Sequence, residues 1–276
     1  AYFVAPVAAE TLDAVDVDLG VRVSQVSPHV GMDFAVQRLV AAVGAGGVAA
    51  QSNQHVIVHG GEGMILDPGG HKIYSRVLSA TFATLGNAKL RHLFLSHQDP
   101  DIVAAVNGWL MTTDADAHLS EIWTRFVAHF GLDHLVEHRL KPIPDAGKML
   151  ELGGLQMPVV PAHFLHSEGN FQLYDPVSKI LYTGDLGTSL GTDYVKVTDF
   201  GQHLRHMEGF HRRYMASNRV MQAWANMVRS LDIEIIAPQH GAYFQGKEMV
   251  DRFIRWCSSL ECGVDLILPS FKVPTA

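Results

Sequence analysis

A short loop after a buried strand carries several potential metal ligands. In the stretch LFLSHQDPDIVAAV, an apolar run is followed by His97, Asp99 and Asp101 at alternate positions, and a helix-like apolar pattern comes next. Imidazole and carboxylate side chains together suit zinc, iron or manganese. Both aspartates also have a structural interpretation, because Asp just before a helix commonly serves as its N-cap. The loop alone therefore leaves a metal site and a helix cap both open.

Three further residues of ligand type follow predicted strands later in the chain. They are His166, Asp185 after ILYTG, and His240 after EIIAPQ. Loops at the carboxyl ends of strands collect ligands in α/β folds, so we expect these residues to meet the loop of His97 in one site. A carboxylate such as Asp185 can bridge two ions. Each residue taken alone has a structural explanation, and their joint occurrence favours a dinuclear centre.

The elements that must position these residues alternate between strand and helix in both halves of the chain, which predicts a layered α/β fold. Helices are predicted over 72–86, from about 101 to 111, over 212–231 and over 246–260. Apolar runs bounded by turns predict the strands. These cover residues 21–26, a hairpin in 55–70, 90–96, three strands in 156–185, and 234–241. The histidines of segment 199–213 fit either a cap over the pocket or one exposed helix face; they are His203, His206 and His211.

The composition indicates an ordinary globular chain. Its 276 residues predict a single domain over 1–276, with residues 1–20 as an N-terminal extension. The net charge of -7 argues against a nucleic-acid binder, and no apolar run approaches the roughly 20 residues that span a membrane. The two cysteines do not form a disulfide framework, which favours a cytoplasmic setting.

Taken together, the motifs LFLSHQDPD, HSEGN, LYTGD and IIAPQHG resemble the successive metal motifs of the metallo-β-lactamase superfamily. The resemblance runs from about residue 20 to 262 and implies a four-layer αββα sandwich. Hydrolases of that superfamily carry His-x-His-x-Asp-His, whereas this chain has Asp99 for the second histidine and Ile102 for the last. The motif is closer to the diiron branch, the flavodiiron proteins. SHQDPDI and FLHSEGNF look like the oxygen-binding diiron proteins, a flavin-free group of that branch.

This resemblance implies a ligand set and a chemistry. His97, Asp99 and His166 would hold the first iron, Asp101 and His240 the second, and Asp185 would bridge them. Such a centre would bind O2 or NO through diferric-peroxo-type chemistry. Iron is expected, with zinc or manganese as alternatives. The flavodoxin-like FMN domain of flavodiiron proteins is missing from the sequence, so binding or sensing is favoured over rapid turnover.

Further residues are candidates for the surroundings of the metal centre, and no catalytic residue is assigned. Asp67 and Glu168 are candidate partners of the ligating histidines, Tyr214 and Tyr243 are candidate pocket residues, and His163 is either an outer residue of the site or purely structural.

Two other functions remain open. One is a hydrolase of esters, thioesters or phosphodiesters that uses zinc, manganese or iron, with Asp101 assisting proton transfer. The other is a sensor module that acts through a redox or signalling partner. A homodimer is expected by analogy with flavodiiron proteins.

Overall fold

The computed structural model describes the backbone of residues 22–25, 34–43 and 50–274 and the side chains of residues 52–274. The N-terminal extension predicted for residues 1–20 lies outside the described residues. Within them, one sheet has seven strands that are neighbours in chain order. They are β1 Arg22–Gln25, β2 Phe34–Val43, β3 Ala50–His59, β4 Glu62–Leu66, β5 Lys89–Phe94, β6 Asp116–Ser120 and β7 Leu140–Ile143.

A second sheet has six strands in the order β13-β12-β11-β10-β9-β8. They are β8 Lys148–Leu152, β9 Leu155–Pro161, β10 Phe171–Asp175, β11 Ile180–Gly184, β12 Ile235–Pro238 and β13 Phe244–Gln245. The α-helices are α1 Tyr74–Leu85, α2 Pro100–Val103, α3 Val106–Thr112, α4 Thr124–Val127, α5 Phe200–Tyr214, α6 Asn218–Val228, α7 Lys247–Ser259 and α8 Val264–Ile267. None of the helices in the described part of the chain is long and apolar enough to cross a membrane.

Three apolar clusters separate four layers. One lies between the two sheets and includes Phe94 of β5 and Phe171 of β10. A second packs α1 to α3 against the outer face of the first sheet, around Trp109. The third packs α5 to α7 against the second sheet, around Phe253. Helices therefore cover both sheets, and the predicted four-layer αββα sandwich is confirmed.

Strand direction brings the ligand-bearing loops to one end of this sandwich. β4, β5, β6 and β7 run parallel to one another, and so do β11 and β12. The loops that follow β5, β11 and β12 therefore start from the carboxyl ends of parallel strands. The two sheets are joined at this end by a hydrogen bond of 2.9 Å, in which Phe171 N donates to Ser96 O.

Two helix predictions were wrong in extent. The helix expected from about 101 to 111 is divided into α2 and α3, because the backbone at Ala105 leaves helical geometry (φ −95°, ψ 3°). The long helix expected over 212–231 is two helices, α5 and α6. Met215, between them, is extended and fully buried, and the next residue, Ala216, donates its N–H to Phe164 O at 3.2 Å. These tertiary contacts break a continuous helical pattern that the sequence periodicity suggests.

The histidines of segment 199–213 lie on α5, and of the two alternatives left open, a cap over the pocket or one exposed helix face, the structure contradicts the exposed face. His203 and His211 are fully buried. His211 Nδ1 donates to Met207 O at 2.7 Å and its Nε2 accepts from Gly187 N at 2.8 Å. With both ring nitrogens hydrogen-bonded, this histidine can be buried in its neutral form. Burial lowers the pKa of His211 to about 4.

Candidate metal centre

Four of the predicted ligands form a compact cluster at the end of the sandwich. The ligand atoms of His97, Asp99, His166 and Asp185 all lie within 4.8 Å of one another. His166 Nε2 is 2.9 Å from Asp185 Oδ2 and 3.5 Å from Asp99 Oδ2. His97 Nε2 is 3.6 Å from Asp99 Oδ2. We refer to this group as the first pocket; it combines two imidazole nitrogens with two carboxylates.

The other two predicted ligands form a second pocket on the opposite side of Asp185. His240 Nε2 is 3.2 Å from Asp101 Oδ2 and 3.5 Å from Asp185 Oδ1. Asp185 thus presents Oδ2 to the histidines of the first pocket and Oδ1 to His240. A carboxylate with one oxygen in each of two adjoining ligand sets is the arrangement that a bridging ligand of a dinuclear centre requires.

Two buried atoms test whether these residues fit metal ions. His97 Nε2 and Asp185 Oδ1 are buried, and neither makes a hydrogen bond with any group in the described part of the chain. Buried polar atoms are normally hydrogen-bonded, because an unsatisfied one costs free energy. Both atoms point into the ligand cluster, where a metal ion would satisfy them. The residues therefore fit a metal centre.

The electrostatics of the first pocket favour ionised carboxylates. Burial alone would lower the pKa of His166, but its contacts with Asp185 and Asp99 outweigh that effect and raise it to about 10. Burial would raise the pKa of Asp185, yet its hydrogen bond with His166 and the nearby His240 and His97 bring it down to about 2. Asp99 is likewise held well below its usual pKa by His166 and His97, against the effect of burial. Carboxylates that stay ionised are ready to bind a cation without first losing a proton.

The aspartates of the loop do not act as ordinary helix caps. Asp99 occupies the N-cap position of α2, but its side chain makes no capping hydrogen bond. Its carbonyl oxygen accepts instead from Ile102 N and Val103 N at 2.9 and 3.0 Å. The backbone thus starts the helix and leaves the carboxylate to face the two histidines of the first pocket. This geometry favours the ligand interpretation of Asp99 over the cap.

Known proteins carry the same arrangement of elements. A family model described as "ODP family beta lactamase" matches residues 50–241. The chain belongs to the ODP family. No protein of curated function matches the sequence at a significant level.

Two solved structures of ODP-family proteins are similar over nearly the whole chain. A structure of the peroxy diiron species of the chemotaxis sensor ODP shares 40% identity with a TM-score of 0.77, covering 89% of this chain and 100% of that one. The apo state of the chemotaxis sensor ODP from T. denticola shares 37% identity with a TM-score of 0.79, covering 90% and 99%.

A variant of a flavo di-iron protein from Thermotoga maritima shares only 16% identity but has a TM-score of 0.72, covering 87% of this chain and 61% of that one. The family and these structures confirm the resemblance to the diiron branch of the metallo-β-lactamase fold.

In this member of the ODP family, Ser96 and Asp67 hold His97. Ser96 Oγ lies 2.9 Å from His97 Nδ1, and Ser96 N donates to Asp67 Oδ1 at 2.8 Å. When the hydroxyl oxygen accepts a hydrogen bond from Nδ1–H, Nε2 keeps its lone pair directed into the first pocket. Burial raises the pKa of Asp67 to about 6. Asp67, predicted as an outer residue of the site, therefore acts on His97 through Ser96, which the sequence did not single out.

The loop that carries His166 is held to the loop of His97 by side chains. Ser167 Oγ donates to Gln98 Oε1, and Trp123 Nε1 donates to Ser167 Oγ at 3.2 Å. The ring of Tyr214, a predicted pocket residue, lies 5.9 Å from that of His166 and stacks on Phe210 at 4.8 Å. These contacts fix the position of His166 on one side and cover its ring on the other.

Asn53 of β3 holds the end of β12, just before and after His240. Its side-chain Nδ2 donates to Pro238 O at 2.9 Å and to Gly241 O at 3.0 Å, and its backbone N donates to Gln239 O at 2.6 Å. Gln239 in turn donates from Nε2 to Asp101 Oδ2 at 3.2 Å. Neither Asn53 nor Gln239 was predicted. A signal was present, however, in the polar run QSNQ within a strand, of which Ser52, Asn53 and Gln54 are buried.

The remaining predicted neighbours lie in other surroundings. His163 Nε2 is 2.8 Å from Asp145 O, and its ring contacts Phe171 at 5.1 Å. Glu168 is exposed to solvent. Tyr243 packs against the apolar core between the sheets. The structure therefore brings together the six predicted ligands with Asp67 and Tyr214. It places His163 and Tyr243 in other contacts and Glu168 in solvent.

Proposed function

We propose that this chain is a dinuclear non-haem iron protein that binds O2 or NO. In this proposal the ligands of the two ions are His97, Asp99, Asp101, His166, Asp185 and His240. The observation that carries it is the position of Asp185, which directs one carboxylate oxygen to each of the two pockets and keeps one of them buried without a hydrogen bond.

Iron is favoured over zinc by the chemistry of the ligands and by the family. Combined imidazole and carboxylate ligands with open positions are typical of non-haem iron centres that react with oxygen. The carboxylate of Asp99 occupies a place where the zinc hydrolases of this fold use a histidine. The similar chemotaxis sensor ODP, at 40% identity, is described as a peroxy diiron species. These observations support iron in this chain as well.

Different residues of this chain would supply charge to such a centre and fix the orientation of its histidines. Asp99, Asp101 and Asp185 supply negative charge against two cations, while Ser96 and Asn53 fix the orientation of the histidine-bearing segments. A pair of ferrous ions held by these residues would supply the electrons needed to bind O2. The protein contributes a site whose polar atoms are already in place, so little rearrangement is needed when the metal ions bind.

We further propose that the output is sensing in the cytoplasm, through a signalling protein partner. The two similar ODP structures are both described as a chemotaxis sensor. The negative net charge argues against a nucleic-acid partner. A single domain over residues 1–276 and a homodimer remain predictions.

Metal analysis combined with absorption spectroscopy tests the proposed function. Protein purified without oxygen and reduced is expected to contain about two irons per chain, the number of ions in a two-metal site. It should gain near-ultraviolet and visible absorption when air or NO is admitted. Two zinc ions with no spectral response, together with turnover of a thioester or phosphodiester, would contradict the proposal and favour the hydrolase alternative.

A further inference from the structure

A cavity of about 410 Å³ opens onto the second pocket. Its polar lining includes the two ligands Asp101 and His240, and its apolar wall is formed by Ile73, Pro100 and Ala104. Gly70, Ser52, His71 and Lys72 complete the lining. A cavity of this volume lies in the range of small-molecule sites, which are usually apolar with a few polar groups that fix the ligand.

The cavity reaches one half of the metal centre and not the other. Among the residues that line it, Asp101 and His240 are ligands of the second pocket, whereas the ligands of the first pocket are absent from its lining. The side chain of Asp101 is 43% exposed, somewhat more than the 34% of Asp99 in the first pocket. The second pocket also has fewer ligands. An incoming molecule can therefore approach the second ion from this side.

We propose that this cavity is the route by which an apolar diatomic ligand reaches the second metal position, and that Ala104 sets its width. The inference rests on the proposed function, since it assumes that the ligand is O2 or NO. Both molecules are small and nearly apolar. Cavities with apolar walls accept such species without the loss of hydrogen bonds, and are known to take up xenon.

The position of Ala104 in the cavity lining lets the size of its side chain set the width of the cavity. Ala104 lies three residues after Asp101, at the C-cap of α2 with helical backbone angles, and side chains three residues apart share one face of a helix. Ile102 and Val103 are fully or almost fully buried and do not line the cavity, whereas Ala104 is 9% exposed and does line it. A larger side chain at this position would therefore take up part of the cavity beside Asp101.

The opposite wall is in direct contact with the turn that carries Asp101. A Cβ atom placed on Gly70 would lie 3.2 Å from Pro100 O and 3.5 Å from Asp101 Cα. The cavity wall and the backbone that carries the ligand are thus packed together. The cavity is a structural continuation of the second pocket.

A graded series at Ala104 tests the route in the iron-loaded protein. Ala104→Leu and Ala104→Trp should retain both irons but react with NO and O2 progressively more slowly, by about tenfold or more for Trp. Ala223→Leu is the matched control, because Ala223 lines a different apolar groove beside α6. It should react at the wild-type rate. Stopped-flow absorption of the reduced protein gives these rates.

A second measurement requires no metal. Crystals pressurised with xenon should show a xenon atom in the cavity of the wild type and none in Ala104→Trp. Equal NO rates in wild type and Ala104→Trp, or a xenon site that persists in the variant, would overturn the proposed route. A wild-type protein that carries two irons but reacts with neither gas would instead contradict the proposed function.

Discussion

Two groups of histidines in this sandwich are each held by hydrogen bonds or ion pairs, yet only one of them can bind metal. In the metal centre, His97 and His166 face carboxylates. In the other group, Lys148 Nζ lies 3.0 Å from His118 Nδ1, and His118 Nε2 lies 3.0 Å from His92 Nδ1. We call these three residues, His92, His118 and Lys148, the lysine–histidine cluster.

The partners explain the difference between the two groups. In the lysine–histidine cluster all four ring nitrogens have a partner, since His92 Nε2 also lies 3.0 Å from Glu151 O. Burial and the Lys148 ammonium lower the pKa of His118 to about 2. In the metal centre the carboxylates raise the pKa of His166, and His97 Nε2 is left without a hydrogen bond. Within these two groups, the histidines placed to bind a metal ion are therefore those that face carboxylates and keep a nitrogen available.

Among these variants, removal of the Asp185 carboxylate should lower metal binding at the proposed centre most. Asp185→Ala deletes an oxygen from each pocket, so the affinity for both ions should fall by more than the roughly 10–100-fold that outer residues cost. Isothermal titration of the metal-free protein with Fe²⁺ without oxygen measures this. Asp114→Ala, which removes an exposed carboxylate, is the control and should bind two ions normally. Unchanged binding by Asp185→Ala would show that this residue is not a ligand.

Single histidine substitutions should separate the two groups. His240→Ala removes a ligand of the second pocket only, so about one iron per chain should remain, half of a two-metal site. His118→Ala should retain both irons. It should lower the free energy of unfolding by about 1–3 kcal/mol, because buried polar partners lose their hydrogen bonds. Iron content by mass spectrometry and denaturant unfolding test both variants. Loss of iron from His118→Ala would contradict the assignment of iron to the metal centre alone and not to the lysine–histidine cluster.

Loss of the Asn53 side chain should lower the metal affinity of the second pocket and leave that of the first pocket unchanged. Asn53→Ala removes two hydrogen bonds to the segment around His240, so we expect the second ion to bind about 10–100-fold more weakly. The first ion should be unaffected.

Asn218→Ala is the matched control for Asn53→Ala. Asn218 Nδ2 also donates to two carbonyls, Ser258 O and Leu260 O, at 3.1 and 2.8 Å. Both variants should lose similar stability, and only Asn53→Ala should lose metal affinity. Equal metal binding by the two variants would show that the hydrogen bonds of Asn53 contribute to stability but not to metal affinity.

The lysine–histidine cluster should give the smallest effect, a pH dependence of stability. The pKa of His118 is lowered from 6.5 to about 2 in the folded chain. The unfolded chain therefore binds one more proton between these values. The contribution to stability is present above pH 6.5 and is lost as pH falls, by about 1.4 kcal/mol per pH unit.

His118→Gln removes the titrating group from the lysine–histidine cluster. The wild type should therefore lose stability relative to this variant between about pH 6 and pH 4.5, in the range where the unfolded chain takes up the proton. Chemical denaturation of both proteins in the same metal state measures the difference. A difference that does not change with pH would mean that His118 is protonated equally in both states.

The sequence singled out residues that the structure brings together, because they follow apolar strands and belong to motifs. His97, Asp185 and His240 come directly after buried strands, and parallel strands bring such ends together. The alternate spacing of Asp99 and Asp101 places them in different pockets, and the structure shows the two carboxylates facing different histidines. The layered α/β class followed from the alternation of strands and helices, whereas the four-layer αββα order came from the resemblance to the metallo-β-lactamase superfamily.

The supporting residues could not be predicted in the same way. Ser96, Asn53 and Gln239 act through hydrogen bonds between segments far apart in the chain, and such pairs leave no periodic pattern. The break between α5 and α6 depends on the burial of Met215, and an amphipathic pattern continues across it. Strands β2, β6 to β8 and β13 were not predicted. The short strands β6 to β8 lack the clear alternation that marks a half-buried strand.

Anomalous diffraction from crystals of the iron-loaded protein tests the central claim most directly, because it locates each ion against its ligands. Two iron peaks about 3.5–4 Å apart are expected. One should lie among His97, Asp99 and His166, the other beside Asp101 and His240, with the Asp185 carboxylate between them. A single peak, or iron bound at the lysine–histidine cluster, would contradict the account.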